Sequence, residues 1–357
     1  YKGAVMVMEP STGKILAMVS KPDFDPNTIA QNWDALISED AGESVSLNRA
    51  TQGMYPPGST FKPTQGLIFL QEKAVTPYTT YPCHLGFYSS GVKVACHDHV
   101  SPISLVPAIS TSCNAYFCYA FRAMIDNLDK YGTTGAAFET WKKYIVDMGY
   151  GYRLGVDLPG ESRGFIPNSD FYSKIYGANG WKGITVISVS IGQGEVLATP
   201  LQIANLAATI ANRGYYFTPH VVRSVENTYL GDDFSRPHYT GVDPSYYELI
   251  VAGMRMSMIQ GTCRIGEIPG IEACGKTGTA QNPHGKDHSA FGIRSPGKSS
   301  HRRCRVCREC RLGCGLWSPY RQPDDGEVFD RRDSSFAQMA RRAYAKCQYN
   351  DTRRGGR

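Results

Sequence analysis

The stretch Tyr55-Pro56-Pro57-Gly58-Ser59-Thr60-Phe61-Lys62-Pro63 decides how the rest of the chain is read. Pro-Pro-Gly ends an extended approach, and the apolar run from Phe61 to Glu72 predicts a helix that Ser59 opens. Positions i and i+3 of a helix share a face, so the Lys62 amine can reach the Ser59 hydroxyl. A neutral amine there would take the serine proton, and the N–H groups of the first turn would lie near a developing oxyanion. A serine cap followed by a surface lysine is the plain alternative, and for an isolated S-x-x-K it is the commoner one.

Two later stretches change that balance: Ser112-Cys113-Asn114 and Lys276-Thr277-Gly278-Thr279. S-x-x-K, S-x-N and K-T-G in this order form the motif set of serine penicillin-binding proteins and β-lactamases. The flanks narrow it: Asn48-Arg49-Ala50-Thr51-Gln52-Gly53 leads into the first motif, and Ile191-Gly192-Gln193-Gly194-Glu195 precedes Ala198-Thr199-Pro200. In that detail residues 1 to about 291 resemble the transpeptidase domain of class B penicillin-binding proteins of the elongation type.

The resemblance implies an α+β fold of the penicillin-binding protein/serine β-lactamase kind, an antiparallel sheet with a helical subdomain. It implies Ser59 as nucleophile, Lys62 as its base, and Ser112 as proton relay to the leaving amine. Asn114 would hold Lys62 and the substrate amide, and Lys276 would add positive potential. Thr277 and Thr279, with Gly278 between them, would grip a terminal carboxylate, and the N–H groups of Ser59 and Thr279 would form the oxyanion hole. The implied activity is a peptidoglycan D,D-transpeptidase that needs no cofactor for catalysis. Its partners would be stem peptides, β-lactams that trap Ser59, and a membrane-embedded glycosyltransferase, on the periplasmic side of the inner membrane. With water as acceptor the enzyme would be a D,D-carboxypeptidase. A β-lactamase or β-lactam sensor shares the motifs, but the Pro-Pro-Gly-Ser and Gly-Gln-Gly-Glu flanks disfavour it.

At 357 residues the chain can bury a large core. It opens inside a strand-like run, Gly3-Ala4-Val5-Met6-Val7-Met8, which reads as a fragment, so that any membrane anchor is expected upstream. Charge divides unevenly: residues 292–357 carry 16 Lys+Arg against 7 Asp+Glu, whereas residues 1–291 carry 22 against 25. The main domain is therefore slightly acidic, and its composition argues against nucleic acid. Of 11 cysteines, six precede residue 292.

Along the chain, Gly3 to Glu9 and Lys14 to Ser20 read as a hairpin, and Pro22 to Asn27 as a loop. Helices are expected over 103–109, 115–126, 136–148, 201–212 and 244–260, and an edge strand over 272–281. Residues 77–102 are loop-rich and hold Cys83, Cys96, His97 and His99. Cys96-x-x-His99 is a local chelating pair, and with Cys83 and Cys113 it would make a closed tetrahedral site for one structural Zn²⁺. His97 or Asp98 could replace His99, and a Cys83–Cys96 disulfide is the competing reading in an oxidising compartment. Some relatives carry a metal at the matching place with a more oxygen-rich ligand set, so the resemblance carries over only in part.

The segment 292–357 reads as an aberrant Arg- and Cys-rich tail. Cys304-x-x-Cys307-x-x-Cys310-x-x-x-Cys314 has the spacing of an iron–sulfur ligand run, and five arginines between 302 and 311 invite a nucleic-acid reading. No proline follows Cys314, and the segment lacks the apolar periodicity that would build a fold around a cluster. A shifted reading frame accounts for it better. Read one base later, the codons of His301 to Glu309 can spell IAVAVYVEN, and those of Asp324 to Phe329 can spell MMEKYL. These would be a strand and a closing helix of the kind the resemblance demands. As written, the chain is expected to lack the two sheet strands and the helix that should follow Phe291.

Overall fold

The computed structural model describes residues 3–37, 45–228, 231–267 and 272–280, and the backbone of 288–294 and 313–319. Two units share the chain: a sheet assembled from both ends, and a helical body inserted between its strands.

The hairpin expected at the start is present. Strand β1 (Gly3–Met8) pairs antiparallel with β2 (Ile15–Lys21) across a turn in which Glu9 and Lys14 bond. The chain then forms α1 (Ile29–Ile37), just beyond the loop read there. A short 3₁₀ turn, Gly58–Phe61, runs into α2 (Lys62–Gln71). Hairpin β3 (Gly86–Ser89) and β4 (Val92–Ala95) follows, then α3 (Leu105–Ser110), α4 (Asn114–Ile125), α5 (Leu128–Tyr131), α6 (Thr134–Asp147) and α7 (Ser169–Tyr176). After a 3₁₀ turn at Ile187–Ile191 come α8 (Pro200–Ala211), the small pair β5 (Tyr215–Phe217) and β6 (Pro237–Tyr239), and α9 (Pro244–Ile259).

The chain returns to the sheet with β7 (Cys274–Ala280), β8 (His288–Arg294) and β9 (Gly313–Pro319). The strand order is β2-β1-β9-β8-β7, all neighbours antiparallel, so β7 is the edge strand that the sequence suggested. The expected loss of strands after Phe291 is corrected here. β8 runs through that point to Arg294, and β9 fills the slot between β8 and β1. Main-chain pairing depends little on side-chain type, so the unpaired N–H and C=O groups of β1 and β8 accept a strand with no apolar alternation. The closing helix, the residues 301–309 and 324–329, and the cysteines 304, 307 and 310 lie outside the described residues.

Helix α8 joins the two units. Thr199 and Gln202 close its first turn as a capping box, with Pro200 at the first helical position, where its missing N–H costs nothing. One face lays Leu201 and Ala204 against Ala4, Met6 and Met8 of β1. The larger core surrounds α2, where Phe61 meets Trp141 and Tyr150 edge-on. Trp141 donates to Gln65 Oε1 at 2.7 Å and Gln65 donates to Val189 O at 3.0 Å, so this buried amide is satisfied at both ends. The 3₁₀ turn that carries Ser59 thus sits on an element that packing has locked.

Candidate active site

Ser59 lies half-buried in the 3₁₀ turn, where side chains three apart eclipse, so Ser59 and Lys62 share a face. That turn is gripped from two sides. Gly58 has φ +55°, and its N–H donates to Gly192 O at 2.8 Å. A Cβ on Gly58 would fall 2.5 Å from Thr279 O, and one on Gly278 would fall 2.8 Å from the Thr60 methyl. The turn and strand β7 therefore meet backbone to backbone because glycine stands on both sides of the contact. This brings the main chain just before Ser59 against that of Thr279.

The Lys62 amine is fully buried, and its three donors meet three acceptors: Asn114 Oδ1 at 2.6 Å, Ser112 O at 2.7 Å and Ser112 Oγ at 3.2 Å. Lys276, equally buried, reaches the same Ser112 Oγ at 2.9 Å and Thr277 O at 2.8 Å. Ser112 achieves this by adopting φ +58°, a left-handed conformation that costs a non-glycine residue about 1–2 kcal/mol. One hydroxyl thus stands between two amines. Burial lowers the Lys62 pKa to about 8, with nearby thiol groups working against it. Burial and the Lys62 charge lower Lys276 well below the ordinary lysine range. Among the described residues, the hydrogen bonds of Lys62 run to the S-x-N loop rather than to Ser59, a partner that spacing alone did not reveal.

Behind the loop, Cys83, Cys96, His99 and Cys113 place their ligand atoms within 4.8 Å of one another. His97 and Asp98 are exposed and outside this group. The three cysteines and the histidine come from the β3–β4 hairpin, its flanks and the start of α4. Cys96 Sγ and Cys113 Sγ are 3.9 Å apart, and Cys83, Cys96 and Cys113 are free thiols rather than a disulfide. The sulfurs also cap α4: Cys96 accepts from Asn114 N at 2.9 Å and Ala115 N at 3.3 Å, and Cys113 accepts from Tyr116 N at 3.3 Å. The Cys113 hydrogen bond, with the Ala115 N–H, holds Cys96 down at about 4, while the same contact pushes Cys113 up. His99 Nδ1 faces Val100 O at 2.9 Å and so carries its proton there, leaving Nε2 buried with no hydrogen-bond partner. An orphaned imidazole nitrogen among three sulfurs is a donor set that suits tetrahedral zinc with no open position.

Sequence reasoning missed Thr262. Its hydroxyl lies 2.8 Å from that of Thr277, and no motif or spacing marked it.

Known proteins resemble this arrangement. The family described as "Penicillin binding protein transpeptidase domain" matches residues 3–292. The peptidoglycan D,D-transpeptidase MrdA of Acinetobacter baumannii is 34% identical over 296 residues, covering 78% of this chain and 41% of that protein. The chain thus spans about two fifths of the length of that curated relative. Among solved structures, Pseudomonas aeruginosa PBP2 in complex with WCK 5153 superposes with a TM-score of 0.73 at 26% identity, covering 89% of this chain and 66% of that one. A structure titled for the coordination of polymerization and crosslinking by a peptidoglycan synthase complex gives 0.74 at 30% identity, covering 97% and 55%.

Proposed function

The chain belongs to the transpeptidase family of penicillin-binding proteins, and from that premise we propose that it is the catalytic domain of a peptidoglycan D,D-transpeptidase of cell-wall elongation. The observation that carries this reading is Ser112 Oγ, 3.2 Å from the Lys62 amine and 2.9 Å from the Lys276 amine, which joins all three motifs at one point.

Ser59 Oγ attacks the carbonyl of the penultimate D-Ala of a stem peptide while its proton passes to neutral Lys62. The N–H groups of Ser59 and Thr279 receive the oxyanion. As the C–N bond breaks, Ser112 delivers a proton to the departing D-Ala amine, and Lys62 makes good that loss with the proton it took from Ser59, while Lys276 adds positive potential at Ser112. The ester then meets an amine of a neighbouring stem, whose proton follows the reverse path to free Ser59. Thr277 and Thr279 hold the terminal carboxylate and Asn114 holds both Lys62 and the substrate amide. β-Lactams present the same acyl group and would stop at the ester.

Cys83, Cys96, His99 and Cys113 would hold one Zn²⁺, which when bound ties the hairpin to the S-x-N loop. Among the described residues no helix is long and apolar enough to cross a membrane. We read the domain as lying on the periplasmic side of the inner membrane with a membrane-embedded glycosyltransferase as partner, a reading supported by the likeness to a structure titled for the coordination of polymerization and crosslinking by a peptidoglycan synthase complex. Residues from about Gly292 onward are read as a frameshifted version of the enzyme's last segment, a reading supported by the family match ending at residue 292. Resequencing the DNA around codons 288–296 tests it: an uninterrupted frame there, with a tail peptide found by mass spectrometry, would defeat it.

The functional reading is tested by supplying a D-Ala-D-Ala stem peptide with an acceptor amine. Release of D-Ala with formation of the cross-linked product is expected, and Ser59→Ala should abolish both. Release without cross-linking under saturating acceptor would turn the reading toward a carboxypeptidase.

A further inference from the structure

The turn that ends α9 touches both the second and the third motif. Thr262 N donates to Ser110 O at 3.2 Å, two residues before Ser112. A Cβ on Gly261 would fall 2.3 Å from that same carbonyl oxygen, so glycine is what allows the turn so close to the S-x-N loop. From there the Thr262 hydroxyl reaches Thr277 Oγ1 at 2.8 Å and Ser257 Oγ at 3.3 Å. Thr262 is exposed and Thr277 half-buried, and Lys276 sits on the Thr277 carbonyl at 2.8 Å. One residue is therefore fastened to the S-x-N loop by its main chain and to the K-T-G strand by its side chain.

We propose that Thr262 is a positioning residue for the carboxylate end of the substrate, acting through Thr277. This rests on the transpeptidase reading above. A threonine hydroxyl has one proton and two lone pairs, and a carboxylate can only accept. Without ligand, Thr277 gives its proton to Thr262. When a carboxylate arrives, Thr277 must turn that proton toward it, and Thr262 then donates back to Thr277. Ser257, Thr262 and Thr277 thereby align their O–H bonds in one direction, each polarising the next toward the negative charge. Removing the Thr262 hydroxyl leaves Thr277 without the donor that fixes its rotamer in the bound state.

The test compares a carboxylate-bearing penicillin with the same compound esterified, measuring formation of the Ser59 ester by wild type, Thr262→Val and Thr262→Ser. Valine keeps the β-branched shape and removes only the hydroxyl. It should lower the second-order acylation rate by the carboxylate compound about fivefold, the scale of one hydrogen bond between neutral groups. The loss should sit in the half-saturating concentration rather than the limiting rate. Acylation by the ester should change by less than about twofold, and serine should restore the carboxylate compound to within about twofold of wild type. Equal losses for both compounds, or none for either, would overturn the proposal. If valine does not fold, judged by thermal melting, Thr262→Ala and Thr262→Ser answer the same question through the ratio of the two compounds. A wild type that forms no Ser59 ester would overturn the functional reading itself.

Discussion

Asn114 divides the molecule's two reactive regions. Its side-chain oxygen accepts a hydrogen bond from Lys62 in the cleft, and its backbone N–H donates to Cys96 in the cysteine–histidine loop. In the cleft, burial strips water from a cation and pushes the amine toward neutrality. In the loop, the first turn of α4 offers N–H groups to sulfur and holds an anion. In the proposed reading the same element thus serves a base that must lose its charge and a zinc ligand that must keep it. The contrast separates chemistry from support: the cleft spends its polar contacts on poising a proton, the loop on fixing where Asn114 and Ser112 stand.

The largest expected effect lies on the cleft side. Lys62→Ala removes the base and the partner of Asn114 together, and acylation by penicillin should fall by about 10³-fold or more while the fold survives. A rate within about tenfold of wild type would mean that the proton leaves Ser59 by another route. Next comes the pH profile. With Lys62 at about 8, the neutral amine is scarce at pH 6 and about half the population at pH 8, so acylation should rise roughly fifty-fold over that span and level off near pH 9. Lys276 shares the site, so the apparent values belong to the pair. The stability sign follows the same shift. The folded chain releases this proton at about 8 while the unfolded chain keeps it to 10.5, so this group's contribution to stability rises with pH across that window. A flat acylation profile from pH 6 to 8 would contradict the assignment.

On the loop side, Cys113→Ser should reduce bound zinc from one per chain to a small fraction, read by elemental analysis. It should also lower melting by roughly 5 °C and slow acylation about tenfold, because Ser112 and Asn114 lose their anchor. Unchanged metal content would show that the sulfurs hold nothing. The smallest effect is expected at Gly192→Ala, whose Cβ would fall 2.3 Å from Gly58 O. A stability loss of about 2 kcal/mol with less than tenfold loss of acylation would show that the grip on the nucleophile turn is structural.

What the sequence made legible follows from where the information lies. Ser59 and Lys62 declare themselves because three residues of helix place them on one face, and the K-T-G strand because small residues mark an edge. The cysteine–histidine loop was half legible: Cys96-x-x-His99 is local, but only the fold brings Cys83 and Cys113 beside it, and only the exposure of His97 and Asp98 decides among the neighbours. Ser112's left-handed backbone has no sequence signal, since serine rarely adopts it. Thr262 was invisible because its role is a contact between distant elements. Helix α7 escaped because its segment is short and buries a single side chain, Tyr172. Strand β9 escaped because Gly313-Cys314-Gly315-Leu316-Trp317-Ser318-Pro319 has no alternation and owes its place to the open edges of β1 and β8.

The central claim, that Ser59 is the acylated nucleophile, is tested most directly by mass spectrometry of the protein after incubation with penicillin. The account predicts one adduct per chain, mapped to the peptide containing Ser59 and absent from Ser59→Ala, with little release over hours. An adduct that persists in Ser59→Ala, or that maps to another residue, would contradict it.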